Sequence, residues 1–420
     1  MFLPFIVVFG IIFLDFITVW GLKRTFPQFI SRHWRGIRLA FILQAFISVA
    51  AVLGGFFFQR KISDYRFFAW YYYFWGLMCT VYFPKSFYAS LLIIDWGLSK
   101  ISKLYRRQFD RFPRGSRRII AKYGFWVSLA LIGLIAWSIF FGRNTFKVNQ
   151  VELFLDDLPN AFNGYKIVQI SDIHAGSFLA SHNHFQKAVD MINQQEPNLI
   201  VCTGDMVNNF AEELIPLIPV FSQLEAQDGK YAVLGNHDYG GYFDWNNPAD
   251  SVANHEILKN FIEQMGFVLL NNRSVIISRY NSDRMALIGV ENWGVKKHHP
   301  RRANLEKLMV PISNIPFKVL LSHDPSFWFL GVEGKTDIVL TLAGHTHGTQ
   351  AGVKLWKKYI TLAPLFGYPC GAGLYQTGKQ YLYVNRGLGV IGFSGRIGML
   401  PEITVITLRK VKPPEQPKRR

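Results

Sequence analysis

Cysteine is scarce in this 420-residue sequence: Cys79, Cys202 and Cys370 are too few for a disulfide framework. Cys79 lies in an apolar stretch and Cys202 in a short hydrophobic run, where a thiol serves as a small packing residue. The count neither requires nor excludes an oxidising compartment. Acid is also scarce in the first third, where residues 1–148 hold 4 Asp+Glu against 20 Lys+Arg. The rest of the chain is nearly balanced, with 24 against 26, so the net charge of +18 sits almost wholly at the N-terminal end. An enzyme working on nucleic acid would carry its basic excess on the catalytic part, so no nucleic acid is expected as a partner. Internal repeats are absent. No basic segment precedes the first apolar run and no small-residue cleavage site follows it, which argues against a typical cleaved signal peptide.

What is abundant is apolar and aromatic residues, 50% and 16% of the chain, and the excess lies in the first third. Residues 2–22 are apolar except for Asp15, and residues 37–58, 67–83 and 123–141 form three further apolar stretches. Each approaches the ~20 residues that a helix needs to cross the hydrocarbon core. The third is expected to stop at Pro84 and Lys85, leaving residues 86–98 as a short amphipathic helix at the interface. Four transmembrane helices are therefore expected.

Lys and Arg in the short loops number 13 on one side and 5 on the other. The side richer in them is expected to be cytoplasmic. The basic third loop also offers anionic headgroups a site, although a topology determinant is the plainer reading. Four spans return the chain to the side of its N-terminus, so everything after residue 141 is expected outside the cytoplasm. The expected division is a multi-pass membrane region at 1–143, a linker at 144–163, a catalytic domain at 164–409 and a basic disordered tail at 410–420.

Five short hydrophobic runs in the C-terminal part each end in residues suited to metal or phosphate chemistry. Residues 167–170 lead to Asp172 and His174, 199–202 to Gly204 and Asp205, and 231–234 to Gly235, Asn236, His237 and Asp238. Residues 319–321 lead to His323, and 338–342 to Gly344, His345 and His347. Short apolar runs bounded by turn residues read as buried strands. Ligands bind at the carboxyl ends of strands in open α/β sheets, so the five are expected to converge at one sheet edge. Mixed imidazole and oxygen donors suit Mn, Fe or Zn rather than Ca. Two such ions can activate water and hold phosphoryl oxygens through an in-line displacement. Each motif alone is weak, since a lone Gly-Asp is usually a turn; their joint occurrence at strand ends carries the reading.

The motifs D-x-H, G-D, G-N-H-D, H and G-H-x-H, in this order between about residues 166 and 350, resemble the calcineurin-like metallophosphoesterase family. Gly344 to Gln350 is similar to the G-H-T-H-G-G-Q of its membrane-associated YkuE/YaeI-type branch, with Thr349 replacing the second glycine. Residues 383–389 also look like a late signature of that branch. The resemblance implies an α/β domain built as a two-sheet β-sandwich flanked by helices, holding two divalent metal ions. One ion would take Asp172, His174, Asp205 and His347; the other would take Asp205, Asn236, His323 and His345. His237 would contact the phosphate and protonate the leaving oxygen, and Asp238 would orient His237. Relatives of that branch imply a UDP-acylated glucosamine or a phospholipid as substrate. Nucleotide sugars are cytoplasmic, so the expected topology disfavours the first.

Other residues keep two readings. Arg386 and Arg396 are candidates to grip a substrate phosphate in bidentate fashion, or are ordinary ion-pair partners. His298 and His299 read as a solvated basic turn rather than a third metal site. His182, His184 and His255 read as structural. Trp293 and the aromatic stretch 239–245 either line an apolar rim for a lipid or pack loops. The expected function is a membrane-anchored phosphohydrolase acting on a phosphorylated small-molecule or lipid substrate. The alternatives are a nucleotide or phosphodiester phosphodiesterase, and a non-catalytic membrane receptor on the same fold. Nothing in the sequence points to a particular protein partner.

Overall fold

The computed structural model describes residues 3–58, 64–106, 119–179, 181–280, 283–294, 303–356 and 358–411. His298, His299, the end of the basic tail and many of the loop Lys and Arg residues lie outside them. The chain divides into two compact units: Met1–Ile62 with Tyr71–Phe140, and Ser63–Trp70 with Phe141–Arg420.

The first unit is helical. It contains α1 (Leu3–Thr25), the short α2 (Pro27–Arg32), α3 (Trp34–Phe58), most of α4 (Tyr65–Arg106) and α5 (Ile119–Phe140). Among the described residues, four helices are long and apolar enough to cross a membrane: Pro4–Thr25, Trp34–Phe57, Tyr65–Leu98 and Ile119–Asn144. Only 17% to 28% of each apolar window is buried, so most of that surface faces outward. A surface of this kind needs lipid around it. The third helix departs from expectation: α4 does not stop at Pro84 but runs on to Arg106. Proline removes one helical hydrogen bond. Breaking the helix would strand several backbone groups in hydrocarbon, which is worse.

Two ion pairs lie inside this unit among its described residues. Asp15, the lone acid of the first span, is joined by the Lys85 ammonium, which also donates to the Gln44 side-chain oxygen. Arg24 and Asp95 form a second pair at 3.2 Å. Both pairs join α1 to α4, as is usual for charges within membrane segments.

The second unit is an α/β sandwich of two mixed six-stranded sheets. The first sheet has the order β1 (Lys147–Leu155), β14 (Glu402–Lys410), β2 (Lys166–Ile170), β3 (Leu199–Cys202), β4 (Lys230–Ala232), β5 (Phe267–Leu269). The second runs β12 (Gly373–Thr377), β13 (Gln380–Val384), β9 (Leu340–Ala343), β8 (Phe317–Leu321), β7 (Asp283–Gly289), β6 (Arg273–Arg279). A separate hairpin is formed by β10 (Gly352–Leu355) and β11 (Lys358–Thr361).

The expected linker is a correction. Residues 147–155 form β1, an edge strand paired in parallel with β14 along its whole length. Polar Asn149, Gln150 and Glu152 interrupt its alternation, so its hydrophobic pattern is weak. The expected tail is also shorter at its start, because β14 reaches Lys410.

Strands β2, β3, β8 and β9 are almost wholly buried, as expected for parallel strands covered on both faces. Ile167, Leu199 and Val201 from one sheet meet Val319, Leu321 and Leu342 from the other in the central core. On the outer face of the first sheet, α6 (Ser181–Asn193) buries Phe185, Ala188, Val189 and Ile192. Their spacing of three and four residues makes one helical stripe. The short α7 (Ile218–Phe221) and α8 (Pro248–Gln264) pack beside it. Asn247 caps α8 by accepting from Ala249 N at 3.0 Å, with Pro248 at the first helical position. Beyond the second sheet lies α9 (Leu305–Met309).

Candidate metal centre

All five expected runs form strands, but they do not share one sheet. Asp172, His174, Asp205, Asn236 and His237 follow β2, β3 and β4 of the first sheet, whereas His323, His345 and His347 follow β8 and β9 of the second. The sheets are tied just short of the ligands, where buried Gln169 donates to the Ala343 carbonyl at 2.9 Å. Two motif glycines allow the close approach. A Cβ on Gly235 would lie 2.1 Å from Asp205 Oδ1, and one on Gly344 would lie 2.0 Å from Ser171 Oγ. Asp172, His174, Asp205, His345 and His347 all have φ between 46° and 72°. A left-handed backbone is uncommon for non-glycine residues, although Asp and His tolerate it better than most. Its clustering at these ligands marks a site where local backbone strain is held by the surrounding fold.

The side chains form two groups, Asp172 with His174 and His347, and Asp205 with His323 and His345. In the first, His174 Nε2 and His347 Nε2 are 3.1 Å apart, and Asp172 Oδ1 is 3.2 Å from His347 Nε2. In the second, His323 Nε2 lies 3.1 Å from His345 Nδ1, 3.1 Å from Asp205 Oδ2 and 3.2 Å from Asn236 Oδ1. Asp205 Oδ2 also lies 3.7 Å from His174 Nε2, so this carboxylate adjoins both groups. Donor atoms about 3 Å apart match the edges of a coordination shell with bonds of ~2.0–2.2 Å. The donor set therefore fits two divalent ions.

All four ligand imidazoles have an outer contact on the nitrogen turned away from the convergence, His347 Nδ1 lying 3.3 Å from an Arg396 nitrogen. His174 Nδ1 is 2.9 Å from Asn208 Oδ1, His323 Nδ1 is 2.7 Å from the Thr203 carbonyl, and His345 Nε2 is 2.7 Å from the Tyr368 hydroxyl. Such contacts fix ring orientation and tautomer in metal sites. Burial, helped by the nearby His237, pushes His174 down to about 3. Burial also holds His347 well below its ordinary value. Both rings are therefore neutral, the form that ligates. Burial raises Asp172 to about 6. It also opposes ionisation of Asp205, but the His323 and His237 rings outweigh it and hold that acid well below its usual range.

The calcineurin-like phosphoesterase family matches residues 165–349. The metallophosphoesterase YkuE of Bacillus subtilis is 31% identical over 254 residues, covering 60% of this chain and 82% of that protein. The chain belongs to the calcineurin-like metallophosphoesterases. A bovine transmembrane protein with a metallophosphoesterase domain is 31% identical over 270 residues, 62% of this chain but only 57% of its own length. A Campylobacter jejuni metallophosphoesterase is 25% identical over 349 residues, 80% of this chain and 83% of that protein. Relatives and apolar helices together support a membrane-associated member of the YkuE-type branch.

Within this metallophosphoesterase domain, His237 adjoins the first ligand group, its ring centroid 4.9 Å from that of His174. The expected role of Asp238 as its orienter is a correction. The Asp238 carboxylate accepts instead from the backbone N–H groups of Asp205, Met206 and Gly235 at 2.8 Å and of Val207 at 3.2 Å. It shapes the turn that presents Asp205. The His237 ring is held by the Asn208 carbonyl, 2.9 Å from Nδ1, and by the Tyr242 ring stacked at 4.1 Å.

Arg396 offers no free fork for a phosphate, whereas Arg386 is engaged through Nε. Arg386 is ion-paired with buried Glu402 and lies over the Tyr359 ring. Arg396 is fully buried and donates to the carbonyls of Gly389, Met399 and Arg386, with one nitrogen 3.3 Å from His347 Nδ1. His184 stacks on Phe178 and His255 on Tyr239, in keeping with structural roles. Trp293 packs on Phe327, and Phe243 and Trp245 pack on Phe210. Tyr242 leaves that aromatic stretch to join the site.

Sequence reasoning did not find Asn208, Tyr368 or Glu213. Buried Glu213 accepts from the N–H groups of Gly176, Asn208, Asn209 and Phe210 and so fixes the loop carrying Asn208. The only signal was the polar pair Asn208 and Asn209 close behind the Gly-Asp motif. Thr349, the departure from the branch pattern, keeps the left-handed φ of 55° and accepts from Leu362 N at 3.0 Å.

Proposed function

We propose that the protein is a binuclear-metal-dependent phosphohydrolase that cleaves a phosphoester or pyrophosphate bond in a lipid-linked substrate at a membrane surface. The observation that carries this reading is the pair of ligand groups adjoining the one carboxylate of Asp205. Asp172, His174 and His347 would hold one ion, Asn236, His323 and His345 the other, and Asp205 both. Such ions would supply Lewis acidity toward phosphoryl oxygens and attacking water.

The chain's own residues supply the rest. With Nδ1 engaged by the Asn208 carbonyl and one ring face covered by Tyr242, His237 can present Nε2 to a leaving oxygen. Proton transfer there is its role. Asp238 and Glu213 hold the backbone of the ligand loops through eight N–H donors between them, so the donor positions are set before substrate arrives. A lipid-linked substrate is favoured because four spans are more than an anchor requires. The nearly balanced charge after residue 148 disfavours long polyanions such as nucleic acid.

An assay of detergent-solubilised protein with added Mn should separate the reaction classes. It would compare p-nitrophenyl phosphate, its bis-ester and lipid pyrophosphates, with Fe and Zn in parallel. Turnover of at least one, abolished by a chelator and restored by metal, is expected. No turnover of any substrate with two ions bound would favour the non-catalytic receptor.

The catalytic unit is proposed to lie outside the cytoplasm, on the strength of the 13-to-5 bias in loop Lys and Arg. Alkaline phosphatase fused after Gly142 or after Arg420 should be active, and a cytoplasmic fluorescent reporter at the same sites dark. The reverse pattern would move the site to the cytoplasm and make a UDP-linked lipid precursor the leading substrate.

A further inference from the structure

Between His347 and Tyr368 the chain leaves the metal centre and returns to it. His347 belongs to the first ligand group, and the Tyr368 hydroxyl lies 2.7 Å from His345 Nε2. The excursion is the β10–β11 hairpin followed by a short 3-10 turn, Ala363–Phe366. It belongs to neither six-stranded sheet, and it lies just past the stretch that the family matches.

Its polarity is inverted. Val353 pairs with Ile360 and Leu355 with Lys358, and these four side chains share one face of the ribbon. Val353, Leu355 and Ile360 are all exposed. The opposite face carries Tyr359, which packs beneath the Arg386 guanidinium at 4.7 Å. The apolar face is therefore the one turned away from the domain. At the turn, Trp356 is 96% exposed and has φ 52°. A two-residue hairpin turn favours Gly, Asn or Asp at positive φ, so local turn stability does not account for a tryptophan here. In the 3-10 turn, Leu365 is 80% exposed and Phe366 lies exposed beside it. Residues 353–366 contain three lysines and no acid.

Large apolar side chains exposed together along one short segment mark an interaction site. Tryptophan with aliphatic residues and lysines is the composition that enters the headgroup region of a bilayer, the basic groups selecting anionic lipid. Among the described residues the chain carries four apolar helices, and a short connection that includes the 3-10 turn Gly142–Asn144 joins α5 to β1. The catalytic unit thus begins within a few residues of an apolar helix.

We propose that the hairpin Gly352–Thr361 and the turn Ala363–Phe366 are a membrane-docking element that seats the metal centre against an anionic lipid surface. It rests on the reading of a lipid-linked substrate only for its purpose. Thr349, next to the ligand loop, bonds Leu362 N at the far end of the hairpin, so the docked element and the ligand loop are joined directly.

The test uses the full chain in nanodiscs of phosphatidylcholine with phosphatidylglycerol. Cys79 is changed to Ala, and a single spin label is placed at Trp356→Cys or Leu365→Cys. A control label is placed at Tyr280→Cys, also highly exposed but at the β6–β7 connection. Labels at 356 and 365 should collide with oxygen in preference to a water-soluble nickel chelate, and the control should show the inverse ratio. Replacing phosphatidylglycerol with phosphatidylcholine should shift the first two toward the control.

Nickel access at 356 and 365 equal to that at 280 would overturn the proposal. Shielding from both reagents would also overturn it, with spin–spin broadening pointing to a second copy and its absence to cover by this chain or another protein. The readout needs no substrate, so it stands whether or not the proposed reaction is correct.

Discussion

Asp205→Asn is expected to lower turnover by more than ~10²-fold, since even outer partners of metal ligands are worth ~10–100-fold. The Asp205 side chain lies 3.1 Å from His323 and 3.7 Å from His174, so it adjoins the imidazoles of both ligand groups. Asparagine keeps the shape and can still accept the bond from His237 N that Asp205 Oδ1 takes at 2.8 Å. The fold should therefore survive, with an unchanged circular dichroism spectrum. What is lost is the negative charge and Oδ2, the oxygen that faces both groups. Elemental analysis should find less than two ions per chain. Full turnover with unchanged metal content would remove Asp205 from the site.

His237→Ala should behave in the opposite way with respect to metal. Its ring nitrogen is engaged by the Asn208 carbonyl and its face by Tyr242, and it belongs to neither ligand group. Two ions per chain should remain while turnover falls by ~10²–10⁴-fold, the usual range for lost proton transfer. The loss should be small for a dinitrophenyl leaving group and large for an alkyl one, because only the poor leaving group needs a proton. Loss of metal together with rate would make His237 a ligand. An equal loss for both leaving groups would leave it with a binding role only.

Much of this protein was legible in sequence because its signals are local. The four apolar stretches announce themselves by length and composition, and α1, α3, α4 and α5 carry them. The five ligand runs were legible because a buried strand is a short apolar run and its ligands follow within a few residues, as β2 with Asp172 and His174 shows. Where the local signal is weak, the reading failed. β1 looked like a linker because its polar residues break the alternation, and pairing with β14, about 250 residues away, makes it a strand. Pro84 looked like a stop because proline disfavours helix, and the surroundings of α4 overrode that local preference.

The sequence by itself determined which residues could bind metal, the order in which they occur and which part of the chain is apolar. Only the tertiary structure decided that the ligands come from two sheets, that Asp238 serves backbone N–H groups, and that Arg396 is already engaged by backbone carbonyls. The physical reason is distance along the chain. Asp172 and His347 meet at 3.2 Å although 175 positions separate them, and the direction of a side chain's hydrogen bonds depends on groups that no local pattern brings near.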